Sequence, residues 1–299
     1  MARIGFVGLG NMGAPMAANL LKAGHDVVGH DVSERGRAAF AEAGGRVAES
    51  LAAAVEGMEV VITMLPSGAE VREVVAGNGG VLDHAAEGTL LVDCSTIDVA
   101  AAREVAAAAF ARGLAMVDAP VSGGVAGAAA GTLTIMAGGG EAAFAQAEPI
   151  LAAMGRTVIH AGASGAGQAA KICNNMILGA SMIVVSEAFN LADALGLDRQ
   201  KLFDVASRAS GQCWALTTYC PVPGPVPASP ANRGYVPGFA AAMMLKDLRL
   251  AADAAAATGV STPVGGEAAK VYEAFCAAGG GGADFSAVVR HLAGDAPKT

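Results

Sequence analysis

The first thirteen residues restrict the fold more than any other stretch. Arg3 to Val7 is a short apolar run, and Gly8-Leu9-Gly10-Asn11-Met12-Gly13 follows it directly. A helical pattern then spans Ala14 to Ala23, and a second strand-like run from Asp26 ends at Asp31. This is G-x-G-x-x-G in the context it needs: after a strand, opening a helix, with an acid about 20 residues further on. Gly8 allows the tight turn, Gly10 lets backbone approach a pyrophosphate, and Gly13 lets helix and strand pack closely. The helix N-terminus offers N–H groups and a positive dipole end to the phosphates. Gly8, Gly10, Asn11, Met12 and Gly13 are therefore expected to hold a dinucleotide. Asp31 is expected to accept from the adenosine ribose hydroxyls and to repel a 2′-phosphate, which selects NAD. Arg35 and Arg37 lie close enough in sequence to temper that preference.

Strands and helices then alternate. Helices are expected at about 48–57, 67–75, 98–112 and 142–154, and strands at 59–65, 89–93, 115–119, 132–137 and 157–160. The pattern implies an α/β fold: an N-terminal Rossmann-type doubly wound sheet over residues 1–163. In such sheets ligands bind at the carboxyl ends of the strands, which places Leu65, Pro66 and Thr96 beside the cofactor. After the fifth strand, Asp118-Ala119-Pro120-Val121-Ser122-Gly123-Gly124 offers a hydroxyl and exposed N–H groups, an anion-binding nest suited to a carboxylate. An ordinary flexible turn is the competing reading.

Residues 164–299 read as an all-α C-terminal domain, joined to the sheet through a long interdomain helix at 166–195. Further helices are expected at about 198–209, 238–257, 263–277 and 284–292. Cys220 to Pro237 is too Pro-rich for a helix, Ala277 to Ala283 reads as a Gly-rich loop, and Pro297 to Thr299 as a frayed tail. On the long helix, Gln168, Lys171 and Asn175 fall at i, i+3 and i+7 and share a face. Lysine is almost never fully buried unpaired. Lys171 therefore reaches solvent, or it faces a cleft where something polar binds. Lys246, on an apolar helix just after Gly238-Phe239, poses the same choice. Trp214, Met243 and Met244 read as packing residues, and His30 and His160 as structural groups at strand ends.

Composition excludes other classes. A net charge of −8 argues against nucleic acid or an anionic membrane surface as partner, though not against a small anionic substrate. The five cysteines include no C-x-x-C pair, so reduced thiols in a cytoplasmic setting are expected, with no metal site. No run reaches membrane-span length without polar interruption. MARIGFVGLG is followed by a glycine turn and an amphipathic helix, so it does not read as a signal peptide.

Four separated motifs resemble the β-hydroxyacid dehydrogenase family: GLGNMGAPMAANL near the start, DAPVSGG at 118–124, GAGQAAKICNN at 165–175 and MLKDL at 244–248. DCSTID at 93–98, GTLTIMAGG at 131–139, SGQCWAL at 210–216 and YCPVPGPVP at 219–227 are similar to its 3-hydroxyisobutyrate branch. Cys220 departs from that branch, where Asn is expected. The resemblance covers essentially the whole chain and implies residue roles. Lys171 matches the catalytic lysine, and Asn175 its partner on the helix that orients substrate. Ser122, Gly123 and Gly124 match the carboxylate-binding segment. Leu65, Pro66 and Thr96 match cofactor contacts, Phe239 the residue packed on the nicotinamide, and Lys246 the lysine that closes over cofactor and substrate. The implied reaction is NAD-dependent oxidation of (S)-3-hydroxyisobutyrate to methylmalonate semialdehyde, a step of valine breakdown. Lys171 would accept the alcohol proton. Desolvation and a nicotinamide cation would both lower its pKa from about 10.4. A relative acting on tartronate semialdehyde or another 3-hydroxy acid is the first alternative, and a non-catalytic dinucleotide-binding module the second. The very apolar helical half implies a homodimer or homotetramer.

Overall fold

The computed structural model describes residues 1–294, and the expected tail Pro297 to Thr299 lies outside them. The chain separates into two compact units, one from Met1 to Lys171 and the other from Ile172 onward.

The first unit is an alternation of strands and helices: β1 Arg3–Val7, α1 Gly13–Lys22, β2 Asp26–His30, α2 Glu34–Glu42, β3 Arg46–Val47, α3 Leu51–Val55, β4 Val60–Thr63, α4 Gly68–Ala76, α5 Val81–His84, β5 Leu90–Asp93, α6 Val99–Ala111, β6 Ala115–Asp118, β7 Val121–Ser122, α7 Gly124–Ala130, β8 Leu133–Gly138, α8 Glu141–Leu151 and β9 Gly155–Gly162. One sheet runs in the order β3-β2-β1-β4-β5-β6-β8-β7, with β9 paired to β8. β1 to β6 pair in parallel, and β8 runs antiparallel to β6 and β7. The central strands β4 (VVIT) and β5 (LLVD) are buried at every position, as strands covered by helices on both faces must be. Side-chain caps start the helices: Ser33 on α2, Ser50 on α3, Ser67 on α4 and Asp98 on α6 each accept an N–H from the first turn. Periodicity alone does not reveal α2, because its sequence ERGRAAFAE is polar and buries only Gly36 and Phe40.

Close packing between α1 and β1 depends on Gly13. A Cβ there would lie 1.8 Å from the Gly8 carbonyl oxygen and 3.1 Å from the Phe6 ring, a separation no real side chain tolerates.

The second unit is helical. α9, Ala166–Ala194, runs into it from the first and is followed by α10 Arg199–Ala206, α11 Trp214–Thr217, α12 Ala241–Thr258, α13 Pro263–Ala277 and α14 Val288–Leu292. Its core gathers Met182, Phe189, Met244, Leu248, Tyr272 and Phe285. The Pro-rich segment is irregular apart from a single 3-10 turn at Pro230–Arg233, and the expected Gly-rich loop contains another at Gly280–Gly282. By length and composition α9 could cross a membrane, against the expectation from its polar interruptions. It is an internal helix of the fold instead. Gln168, Asn175, Met182 and Phe189, spaced by seven, form its buried face.

Gly13→Ala is expected to lower stability by about 3 kcal/mol, the upper range for forcing a methyl group into a filled site. A urea denaturation midpoint equal to wild type would contradict the packing described.

Candidate active site

Adjacent parallel strands end at one edge of the sheet, and each hands on a short polar segment: Gly8–Gly13 after β1, Met64–Pro66 after β4, Cys94–Thr96 after β5 and Ala119–Ser122 after β6. The glycine turn is tightly built. Gly8 has φ +97°, and a Cβ there would meet the Met64 carbonyl oxygen at 2.3 Å. Its N–H donates to the His30 carbonyl at 2.9 Å. Gly10 differs, since no protein atom lies within 4 Å of where its Cβ would be. Its missing side chain leaves room at the mouth of the turn. The first turn of α1 has no side-chain cap; Ala14 and Met16 N–H donate to the Gly10 and Met12 carbonyls, and the positive end of the helix dipole faces the turn. These features fit a dinucleotide pyrophosphate, with Asn11 and Met12 flanking it.

Asp31 does more than await a ribose. Leu9 N–H donates to its Oδ2 and Ser33 N–H to its Oδ1, each at 2.6 Å, so the carboxylate also fixes the glycine turn. Arg37 donates to the backbone carbonyls of Asp31 and Val32, which ties its guanidinium to the backbone beside that acid. Arg35 is exposed.

Behind these loops lies a buried polar network. Asp93, at the end of β5, accepts from Thr63 Oγ1 at 2.7 Å and from the Ser95 hydroxyl at 2.5 Å. Ser95 Oγ in turn accepts the Leu65 N–H at 2.8 Å. The Gln168 carboxamide donates through Nε2 to the Ser95 carbonyl (2.8 Å) and accepts the Ile97 N–H at Oε1 (3.0 Å). Asp118, at the end of β6, accepts the Gly165 N–H at 2.7 Å and the Gln168 N–H at 3.0 Å. It thus caps α9 from across the fold. Gly138 and Gly167 make the close approach possible. A Cβ on Gly167 would lie 2.3 Å from the Met136 carbonyl oxygen, and one on Gly138 would lie 2.6 Å from Asp118 Oδ1. Lys171 stands one turn further along α9 and is only 6% exposed. The solvent reading of this lysine is therefore excluded.

Burial pushes the Asp118 carboxyl up to about 6, against the N–H donors of Gly165 and Gln168 that hold it down, with the charge of Asp93 adding to the rise. Ser122 closes β7, and Gly123 and Gly124 follow at φ +138° and +63°. Their positive φ turns the chain directly into α7, whose start has no side-chain cap.

In the second unit, Asn175 donates from Nδ2 to Asp247 Oδ2 at 2.5 Å. Asp247 is buried, and its Oδ1 lies 3.9 Å from Lys246 Nζ. One carboxylate thus connects two of the expected site residues. Phe239 is set by Asp284, which accepts the N–H groups of Gly238 and Phe239 and the Tyr219 hydroxyl. Its ring meets Phe285 edge-on at 5.6 Å. Burial and the Asp284 charge push the Tyr219 hydroxyl well above its usual range, so it stays a donor. Trp214 is not the buried anchor expected. It is 49% exposed and stacks on Tyr219 with ring centroids 4.9 Å apart. Met243 is also exposed, whereas Met244 is core. Cys220 is buried, its thiol raised to about 11 by burial, and the chain around it is held by Ser229 and Tyr235 hydroxyls donating to the carbonyls of Cys220 and Pro221. His30 and His160 are structural, bonded to the Ala48 and Gly139 carbonyls.

Asp93, Ser95, Asp118, Asp247 and Asp284 escape a reading based on periodicity. For Asp93 and Asp118 the signal available is an acid closing an otherwise apolar strand, where a charge needs donors that local sequence does not supply.

A parallel sheet in the 3-2-1-4-5-6 order, a glycine turn after its first strand and an acid closing its second define a nicotinamide-dinucleotide-dependent oxidoreductase. Residues 3–162 match the family model described as the NAD binding domain of 6-phosphogluconate dehydrogenase, and residues 165–292 that described as NAD-binding of NADP-dependent 3-hydroxyisobutyrate dehydrogenase. The probable 3-hydroxyisobutyrate dehydrogenase of Mycobacterium tuberculosis (strain H37Rv) is 53% identical over 292 residues, covering 98% of each chain. The NAD-dependent L-serine dehydrogenase of Pseudomonas aeruginosa is 48% identical over 288 residues, 96% of this chain and 97% of that one. A solved structure of the M. tuberculosis 3-hydroxyisobutyrate dehydrogenase with L-serine has a TM-score of 0.93 at 52% identity, covering 98% of this chain and 99% of that one. The chain belongs to the 3-hydroxyisobutyrate dehydrogenase family.

The Asp118 pKa carries a stability prediction. Folding raises it, so the native state binds a proton between about pH 4 and 6 that the unfolded chain has released. The group's contribution to stability is complete below about pH 4 and is lost as pH rises through about 6, by about 3 kcal/mol for two pKa units. Asp118→Asn has no such titration. The stability of wild type relative to this variant is expected to fall by about 2 kcal/mol from pH 4.5 to pH 7 in urea titrations. An unchanged difference would mean that Asp118 does not titrate in this window.

Proposed function

We propose that the protein oxidises (S)-3-hydroxyisobutyrate to methylmalonate semialdehyde with NAD, in valine breakdown in the cytoplasm. Residues 1–163 form the cofactor domain, and 164–299 the helical domain for substrate and self-association. The observation that carries this reading is the burial of Lys171 one turn beyond the Asp118-capped start of α9. Burying a lysine costs free energy that bonded partners must offset, and a buried ionisable group beside a cofactor cleft is a functional candidate.

Gly8, Gly10, Asn11, Met12 and Gly13 would hold the pyrophosphate, Asp31 the adenosine ribose, and Leu65, Pro66, Thr96, Phe239 and Lys246 the rest of the cofactor. When bound, the nicotinamide supplies the two-electron acceptor. The substrate carboxylate docks on Ser122, Gly123 and Gly124, assisted by Lys246. That anchorage holds the C3 alcohol in place and converts binding energy into orientation. Asn175, its amide turned by Asp247, orients the hydroxyl. Lys171 Nζ takes the hydroxyl proton as the carbonyl forms, and returns a proton in the reverse direction.

L-Serine is the second reading, favoured by the relative named L-serine dehydrogenase and by the similar structure solved with L-serine. The two acids share a carboxylate and a primary alcohol at C3. They differ at C2, which carries methyl in one and ammonium in the other. A site that selects the methyl would present apolar groups at C2, where an ammonium would lose its hydration without a partner.

The outward face of α9 supports self-association. Ile177, Val184 and Leu191, spaced by seven, are 65%, 58% and 60% exposed. Such a stripe suits the same helix of a second copy across a two-fold axis.

Two measurements test these readings. With racemic 3-hydroxyisobutyrate and NAD, wild type is expected to generate the NADH absorbance band faster than with L-serine at equal concentration, and Lys171→Ala to lose at least a thousandfold in kcat with NADH affinity nearly intact. Turnover near wild type in that variant would remove Lys171 from its role, and a strong preference for serine would replace the substrate. By light scattering, wild type should be a dimer or tetramer and Val184→Glu a smaller species; a monomeric wild type would refute self-association.

A further inference from the structure

The contacts of Gln168 go beyond capping a helix. Its side chain is completely buried and makes two bonds of opposite sense to one short loop, donating to the Ser95 carbonyl and accepting the Ile97 N–H. Between those two backbone groups stands Thr96, assigned above to the cofactor. The backbone N–H of Gln168 donates to Asp118, and Lys171 lies three residues on along the same helical face. The Ser95 hydroxyl extends the connection to the Leu65 N–H. A carboxamide offers a donor and an acceptor side by side at every pH, whereas a carboxyl does so only when protonated. A methionine would fill the volume and satisfy neither backbone group, and a glutamate would oppose its charge to the Ser95 carbonyl.

We propose that Gln168, anchored by Asp118, is a positioning residue: its carboxamide clamps the Ser95–Ile97 loop to the turn of α9 that carries Lys171, so that proton acceptor and cofactor loop hold a single geometry. The clamp rests on the reading of Lys171 as the proton-transfer group. A displacement of about 1 Å at a reacting group costs on the order of a hundredfold in rate, so a positioning role shows in kcat before it shows in binding.

The test compares wild type, Gln168→Met, Gln168→Glu and Lys171→Ala, with racemic 3-hydroxyisobutyrate and NAD, at a temperature where circular dichroism shows each variant folded. Gln168→Met is expected to lose at least tenfold in kcat while the NADH dissociation constant, read by fluorescence, rises no more than threefold. Hydrogen exchange at the Ile97 amide should accelerate at least tenfold. Gln168→Glu supplies the arm that a structural role would not move. Its protonated carboxyl can again donate to Ser95, so its kcat relative to wild type should rise at least tenfold from pH 9 to pH 6.

Wild-type kcat in Gln168→Met, or unchanged Ile97 exchange, overturns the clamp. If Gln168→Met does not fold, Gln168→Glu decides alone, and a pH-independent ratio to wild type overturns the proposal. Collapse of Lys171→Ala with full activity in both Gln168 variants removes the clamp and leaves the role of Lys171 standing. Full turnover in Lys171→Ala removes both.

Discussion

The first turn of α9 is held by two side chains, Asp118 from a distant strand and its own Gln168. A helix start exposes N–H groups that need acceptors, and here the acceptor is the carboxylate of Asp118 at the end of β6. The approach is closer than side chains permit, so Gly138 and Gly167 are required on either side of the contact. Gln168 then ties the same turn to the loop after β5. Everything assigned to chemistry in the first unit is placed relative to this joint. Lys171 lies one turn beyond it, Ser122 four residues past Asp118, and Thr96 between the two backbone groups that Gln168 holds.

Such a joint is expensive to build. Asp93 and Asp118 are both buried carboxylates, and desolvation acts on Asp118 strongly enough to outweigh two backbone donors. Polar networks of this kind are worth little as net stability, because each charge must first leave water. Their benefit is uniqueness of geometry: every bond has a direction, and a satisfied network admits few alternatives. An apolar contact between α9 and the sheet would hold as firmly and slide more easily. A proton acceptor that must meet a hydroxyl within hydrogen-bond distance cannot tolerate that sliding. Asp247 applies the same logic in the second unit, where its two oxygens face Asn175 and Lys246.

Much of the fold was legible in the sequence, because its signals are local. The glycine turn, the alternation of strands and helices and the all-helical second half each declare themselves within a window of some twenty residues. What was not legible depends on separations of a different order. Gly165 meets Asp118 across 47 residues and Gln168 meets Ser95 across 73, and no periodicity encodes such a pairing. Gln168 was visible only as a neighbour of Lys171 on a helical face. Trp214 and Met243 differ from expectation for a related reason: a large apolar side chain suits the core, but which side of the first turn of a helix faces inward is a tertiary fact. The α2 helix was missed because it is polar and held by its Ser33 cap and by Phe40, not by an apolar stripe.

The apolar character of α9 has a different explanation from the one its composition first suggests. A helix apolar nearly all round is ordinarily buried all round. α9 instead turns Gln168, Lys171, Asn175 and Ser186 inward and leaves Ile177, Val184 and Leu191 outside. Met182, Ile183, Val185 and Phe189 join the core on the inner side, so the helix carries apolar groups on both sides, and two demands on one element account for this. Its inner face must carry polar groups that are precise in position, which requires burial and bonded partners. Its outer face carries Ile177, Val184 and Leu191 over some fourteen residues, interrupted by the exposed Glu187, and such a stripe in water is a liability unless something covers it. The hydropathy of the helix is therefore the sum of two specialised faces. A window average reads that sum as a membrane span, whereas position by position it is a polar seam backed by an apolar stripe.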